Sequence, residues 1–80
     1  MAQNYRLQAR EVADSCVNRF LLRHGSQLDT LNPEAQLFFG DRVRAWRQKL
    51  EDVLTEHLGE HEGILEASQV PNLIASVGSP

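Results

Sequence analysis

The 80 residues of this chain suffice for one small domain, and 41% hydrophobic with 24% charged residues is typical of a folded rather than a disordered protein. The net charge of −3 gives the chain no general attraction to nucleic acid or to anionic membranes. A single cysteine excludes an intrachain disulfide, and no stretch approaches the roughly 20 apolar residues of a membrane span.

The first predicted element is a helix from about residue 5 to residue 24. Asn4 is a residue type that caps helix starts, and Gly25 is one that often follows helix ends. At 100° per residue its apolar side chains share one face, and they are Tyr5, Ala9, Val12, Ala13, Cys16, Val17 and Phe20. Because several of these side chains are small, a second helix can approach this face closely.

The second predicted helix runs from about residue 33 to residue 58. Asn32, Pro33 and Glu34 are suited to the N-cap and the first two helical positions, and Gly59 is a natural end. An apolar seam with the 4-3-4-3-4 spacing of packed helices runs along this helix. Its members are Phe39, Val43, Trp46, Leu50, Val53 and His57, and it is widened by Ala35, Leu54 and Leu58. A seam of this length must be buried against other helices.

The two helices are joined by about eight residues, 25–32, so they should be antiparallel neighbours. After Gly59 the pattern weakens into an acidic and apolar segment, residues 59–80. Short helices at about 61–69 and 72–77 fit this segment, and so does a tail that becomes ordered only on a partner.

Charge is distributed unevenly along the chain. Residues 1–50 contain all eight basic side chains and five acidic ones, whereas residues 51–80 contain six acidic side chains and no basic ones. Such a split suggests that the two parts pair with each other or that the chain has a charged partner. In an antiparallel hairpin, Arg6 and Arg10 would face the acidic end of the second helix, at Glu51, Asp52 and Glu56, within one chain or across a dimer. The alternative is that these charges are simply solvated.

Two features of the sequence could carry chemistry, a histidine pattern and the single cysteine. Residues 57–61 read HLGEH, which matches the H-x-x-E-H pattern of a zinc-binding helix. Gly59 interrupts the helix that this pattern requires, and a further ligand and a cleft are needed. Cys16 lies on the apolar face of the first helix, as a buried small side chain would. We therefore expect no catalytic, cofactor-binding or metal-binding residues, and no enzyme activity.

A nucleic-acid-associated regulator is the alternative function. Four basic residues cluster in the second helix, and they are Arg42, Arg44, Arg47 and Lys49. On a helical wheel they lie on both flanks of the apolar seam rather than in one stripe, and the acidic last third would repel phosphates. The pattern therefore does not favour nucleic acid.

The sequence predicts an all-α fold: one helical domain over residues 1–80, built on an antiparallel hairpin that forms a four-helix bundle as a homodimer or is completed by a different protein. Its expected function is a protein–protein interaction module, such as an adaptor, co-chaperone or regulatory subunit, without a membrane segment and in the cytoplasm. The candidate interface residues are Phe39, Val43, Trp46, Leu50, Val53 and Leu54 in the seam, with Phe38 and Leu37 outside it.

Overall fold

The computed structural model describes residues 5–80 and contains three helices. Helix α1 spans Tyr5–Leu28, α2 spans Pro33–Glu60, and a 3-10 turn at Ala67–Gln69 leads into the short α3, Val70–Val77. The two long helices pack against each other as an antiparallel hairpin, which confirms the predicted all-α hairpin. The molecule measures 46 × 24 × 17 Å. None of the helices in residues 5–80 is long and apolar enough to cross a membrane.

The start of α2 agrees with the prediction, but the end of α1 does not. The backbone N–H of Ala35 donates a 2.8 Å hydrogen bond to the Asn32 side chain, so Asn32 is the N-cap. Helix α1 was predicted to end before Gly25, yet it continues to Leu28. A helical glycine costs only about 1 kcal/mol relative to alanine. The last carbonyls of α1 are satisfied beyond this glycine. The Thr30 hydroxyl donates to the Gln27 carbonyl at 2.7 Å, and the Leu28 carbonyl accepts from the N–H of Leu31 at 3.1 Å and from the Gln36 side chain at 3.4 Å. The predicted cap at Asn4 lies outside the described residues.

The end of α2 also differs from the prediction, because the helix passes through Gly59 and stops after Glu60. Its last carbonyls are satisfied by a turn in which the N–H of Gly63 donates to the Leu58 carbonyl at 2.7 Å. This turn requires left-handed backbone at Glu62, with φ of 54°, and at Gly63, with φ of 85°. The helix therefore ends where the chain can adopt this turn and not at the first glycine.

The C-terminal segment is helical only in part. The predicted helix at about 61–69 is wrong, since the structure has only the 3-10 turn at Ala67–Gln69 there. The predicted helix at about 72–77 corresponds to α3, which begins two residues earlier. Pro71 lies in the first turn of α3, where a missing N–H costs nothing. Helix α3 packs against α2.

The core lies between α1 and α2. Ala9 and Ala13 of α1 are fully buried, and their small size lets α2 approach. The largest buried side chains of α2 are Leu50, Leu54 and Leu58, each no more than 1% exposed. Each fully buried leucine stabilises the fold by roughly 1.5–3 kcal/mol relative to an exposed one.

Two glycines should respond in opposite directions to alanine. Gly40 lies inside α2 with open space where a Cβ would be, so Gly40→Ala should raise the free energy of unfolding by about 0.5–1 kcal/mol. At Gly63, a Cβ would lie 3.0 Å from Cε1 of Tyr5 and the backbone φ is positive, so Gly63→Ala should lower it by about 1 kcal/mol or more. Urea unfolding of both variants measures these changes, and equal signs would contradict the assignment.

Candidate interaction surface

Half of the eight residues of the predicted interface are buried inside this single chain. Val43, Trp46, Leu50 and Leu54 belong to the core and are at most 9% exposed. They pack with four residues of α1, which are Ala9, Ala13, Cys16 and Val17. Helices α1 and α3 cover these side chains within the chain. A contact of these residues with another molecule stays a prediction.

Trp46 connects the hairpin to the C-terminal segment. Its indole Nε1–H donates a 2.7 Å hydrogen bond to the carbonyl of Gly78, just beyond the end of α3. Its ring also lies 5.3 Å from the ring of Phe20, centroid to centroid. Three apolar residues of α3 pack against the same core: Leu73, Ile74 and Val77. The seam that the sequence left without a cover is therefore partly closed by α3.

Leu37 and Phe38 are the members of the predicted interface that remain open. Their side chains are 73% and 64% exposed, whereas Phe39 and Val53 are half-buried. The guanidinium carbon of Arg42 lies 5.8 Å from the centre of the Phe38 ring, which places a cation over an aromatic face. The C-terminal segment thus does not cover Leu37 and Phe38.

Other exposed apolar side chains lie near the connection between α1 and α2. We call residues 21–40 the turn end of the hairpin. Besides Leu37 and Phe38, this end exposes Leu22, at 85%, with Leu21 and Leu31 near 36%. Sequence reasoning missed Leu22, although its position off the apolar stripe of α1 was a signal for exposure.

A shallow groove also opens at the turn end. It encloses about 290 Å³ between the last turns of α1 and the first turns of α2. Gly40 lines this groove, and the space that a Cβ at this position would occupy is open. The remaining lining residues are Leu21, Leu28, Asp29, Gln36, Phe39 and Val43.

Ion pairs hold the opposite end of the hairpin together. Glu51 is the only charged residue in the core of the described chain, at 3% exposed. Its carboxylate lies 2.7 Å from Arg6, 3.5 Å from Arg10 and 3.7 Å from Arg47. The prediction that Arg6 and Arg10 face the acidic end of α2 is confirmed, within one chain. The hydrogen bond to Glu51 raises the pKa of Arg6.

A second interhelical ion pair joins Asp14 and Arg47. The guanidinium of Arg47 donates to the Asp14 carboxylate and holds the pKa of that carboxyl below its ordinary value of 3.8. Arg47 therefore links Asp14 on α1 with Glu51 on its own helix. This pairing takes Arg47 out of the basic cluster that the sequence suggested for phosphate binding.

Four cations remain outside ion pairs among residues 5–80, and all of them border α3. Arg19 and Arg23 line a cleft between α1 and α3, while Arg42 and Lys49 lie with Val77 at the other flank. Residues 67–80 carry no charged side chain to neutralise them. We call these four residues the α3 cations.

The histidine pattern and the cysteine do not form a site with further ligands. Because α2 continues through Gly59, the rings of His57 and His61 come to 4.2 Å, centroid to centroid. The buried Nε2 of His57 has no hydrogen-bond partner in the described part of the chain. No third potential metal ligand joins them within residues 5–80. Cys16 is buried in the core, and burial raises the pKa of its thiol.

The geometry thus offers two surfaces for contact, the apolar turn end and the α3 cations. Comparison with protein-family models, with curated proteins and with solved structures finds no match to this chain.

Proposed function

We propose that this chain is a small helical protein–protein interaction module, acting as an adaptor, co-chaperone or regulatory subunit. The observation that carries the proposal is the exposure of large apolar side chains at the turn end, above all Leu22, Leu37 and Phe38. Contiguous exposed apolar side chains often mark a contact site, and Leu37 and Phe38 are adjacent residues of α2. Phe38, with Arg42 above its ring, combines two residue types, an aromatic and an arginine, that are enriched in interfaces.

The partner in this proposal is a different protein or a second copy of the chain. Two hairpins that packed side by side would form a four-helix bundle and would give the half-buried Phe39 and Val53 further cover. Such a dimer would bury less apolar surface than the sequence of the seam suggests, because α3 already covers part of the seam.

A nucleic-acid-associated regulator is the second candidate, and one observation favours it. The α3 cations lie around one uncharged helix, so four positive charges face solvent on one side of the hairpin. Against it stand the net charge of −3 and the acidic end of α2, both of which repel phosphates.

The double variant Leu37→Asp/Phe38→Asp tests the first proposal. Both side chains are exposed, so the variant should keep its melting temperature within a few degrees. Affinity purification from the source extract should recover specific protein partners with the parent chain and lose them with this variant. The matched control, Ser15→Asp/Asn18→Asp, adds the same charge at exposed polar positions of α1 and should retain them. Recovery of the same partners by all three chains would contradict the proposal.

A further inference from the structure

The arginines of this chain divide into two groups by their surroundings. Four have a carboxylate partner within ion-pair distance in the same chain, and these are Arg6, Arg10, Arg44 and Arg47. The other three belong, with Lys49, to the α3 cations. Because Arg19 and Arg23 stand one helical turn apart, they repel each other unless an outside anion lies between them.

The cleft beside these two arginines has an apolar opposite wall. It encloses about 660 Å³, with Arg19 and Arg23 on the α1 side and Val70, Pro71 and Ile74 on the other. A ligand that fits it would present two negative charges about one helical turn apart together with an apolar side chain.

The end of α2 carries these same groups. Glu56 and Glu60 are exposed, are spaced one helical turn apart and have no cationic partner in residues 5–80. Ile64, directly beyond the helix, is 61% exposed. Glu56 and Glu60 follow Lys49 by seven and eleven residues, so they continue the strip of α2 on which Lys49 borders α3. Complementary acidic and basic groups therefore lie at different levels of one face.

We propose that two copies of this chain associate antiparallel through the face that carries α3. In this dimer Glu56 and Glu60 of each copy pair with Arg19 and Arg23 of the other, and Ile64 packs near Pro71. Two-fold symmetry forms the contact twice from one set of residues. The inference rests on the proposed function in that it assigns the chain to protein contacts, but it uses a different surface from Leu37 and Phe38.

Nucleic acid fits this face less well than a second copy does. The α3 cations are only four, and Glu56 and Glu60 on the same strip of α2 would repel a phosphate backbone. A second copy neutralises both the acidic and the basic groups. Since exposed ion pairs are individually weak and screened by salt, the dimer should weaken as ionic strength rises.

Charge reversal with reconstitution tests the dimer. At low salt, sedimentation equilibrium of the parent chain should reach twice the 9.0 kDa of one chain. Arg19→Glu/Arg23→Glu alone and Glu56→Lys/Glu60→Lys alone should each give monomers, because each carries like charges across both contacts. An equimolar mixture of the two should regain the dimer. One contact then pairs the unchanged glutamates of the first variant with the unchanged arginines of the second, and the other contact pairs the two sets of reversed charges.

Several results would overturn the inference. They are a parent chain that stays at 9.0 kDa at every concentration, reversed variants that still dimerise alone, and a mixture that stays monomeric. A monomeric parent chain that shifts the electrophoretic mobility of a DNA or RNA duplex, with the shift lost in Arg19→Glu/Arg23→Glu, would assign this face to nucleic acid instead. The Leu37→Asp/Phe38→Asp variant should remain dimeric, and its dissociation would assign the dimer contact to the turn end. Failure of the charge exchange leaves the partner test of Leu37 and Phe38 unaffected.

Discussion

Replacement of Leu50 by aspartate should abolish the cooperative unfolding transition of this chain. Leu50 is 1% exposed, so the variant loses a leucine from the core and places a carboxylate there without a cation assigned to it. The lost packing alone costs about 2–5 kcal/mol, and a buried unpaired charge adds several more. A domain of this size has a total stability of roughly 4–12 kcal/mol. Far-UV circular dichroism at 25 °C should therefore report a largely unfolded variant.

The matched control for this variant is Leu37→Asp. It makes the same chemical change in the same helix, at a side chain that is 73% exposed. Surface substitutions of this kind usually change the free energy of unfolding by about 0.5 kcal/mol or less. A folded Leu50→Asp chain with a melting temperature like that of Leu37→Asp would show that the seam does not form the core.

Reversal of the charges on Arg6 and Arg10 should produce the second large loss of stability. Their guanidinium groups lie 2.7 and 3.5 Å from the buried carboxylate of Glu51. Arg6→Glu/Arg10→Glu leaves Glu51 with Arg47, at 3.7 Å, as its only ion-pair partner within residues 5–80 and brings two acids towards it. Removing partners from a buried charge destabilises a fold because the charge stays desolvated. We expect the melting temperature to fall by roughly 10 °C or more.

Two further variants separate this effect from general surface charge. Arg44→Glu breaks the pair with Asp41, in which both side chains are more than 70% exposed, and should leave the melting temperature nearly unchanged. Adding Glu51→Gln to the double variant removes the buried charge and should recover part of the loss. An Arg6→Glu/Arg10→Glu chain as stable as Arg44→Glu would show that the ion pairs around Glu51 contribute little.

The features predicted correctly from the sequence are those set by neighbouring residues or by the antiparallel hairpin itself, such as the contact of Arg6 with Glu51. Asn32 and Pro33 fixed the start of α2, because capping depends on groups within one turn. The ends of both long helices were predicted wrongly at Gly25 and Gly59. Each helix continues to the point where the following turn satisfies its last carbonyls. The N–H of Leu31 bonds the Leu28 carbonyl of α1, and the N–H of Gly63 bonds the Leu58 carbonyl of α2.

The candidate surfaces, too, could be predicted from the sequence only in part. Periodicity placed Leu37 and Phe38 outside the seam, and both are exposed. Periodicity did not predict that α3 would cover Trp46, because eight apolar and small residues with a proline also fit a disordered tail. The α3 cations could not be singled out from the sequence either. Whether a basic residue has an ion-pair partner depends on the side chains that neighbouring helices place beside it, and periodicity does not show this.

Helix α3 covers the seam around Trp46 within its own chain. Isotope-filtered NOE spectroscopy on a mixture of labelled and unlabelled chains measures this directly, because it separates contacts within one chain from contacts between two. We predict NOEs from the indole protons of Trp46 to Ile74 and Val77 of the same chain, with the indole N–H protected from exchange by its bond to Gly78. If those NOEs arose only between labelled and unlabelled chains, α3 of a second copy would fill the seam, which would contradict closure within one chain.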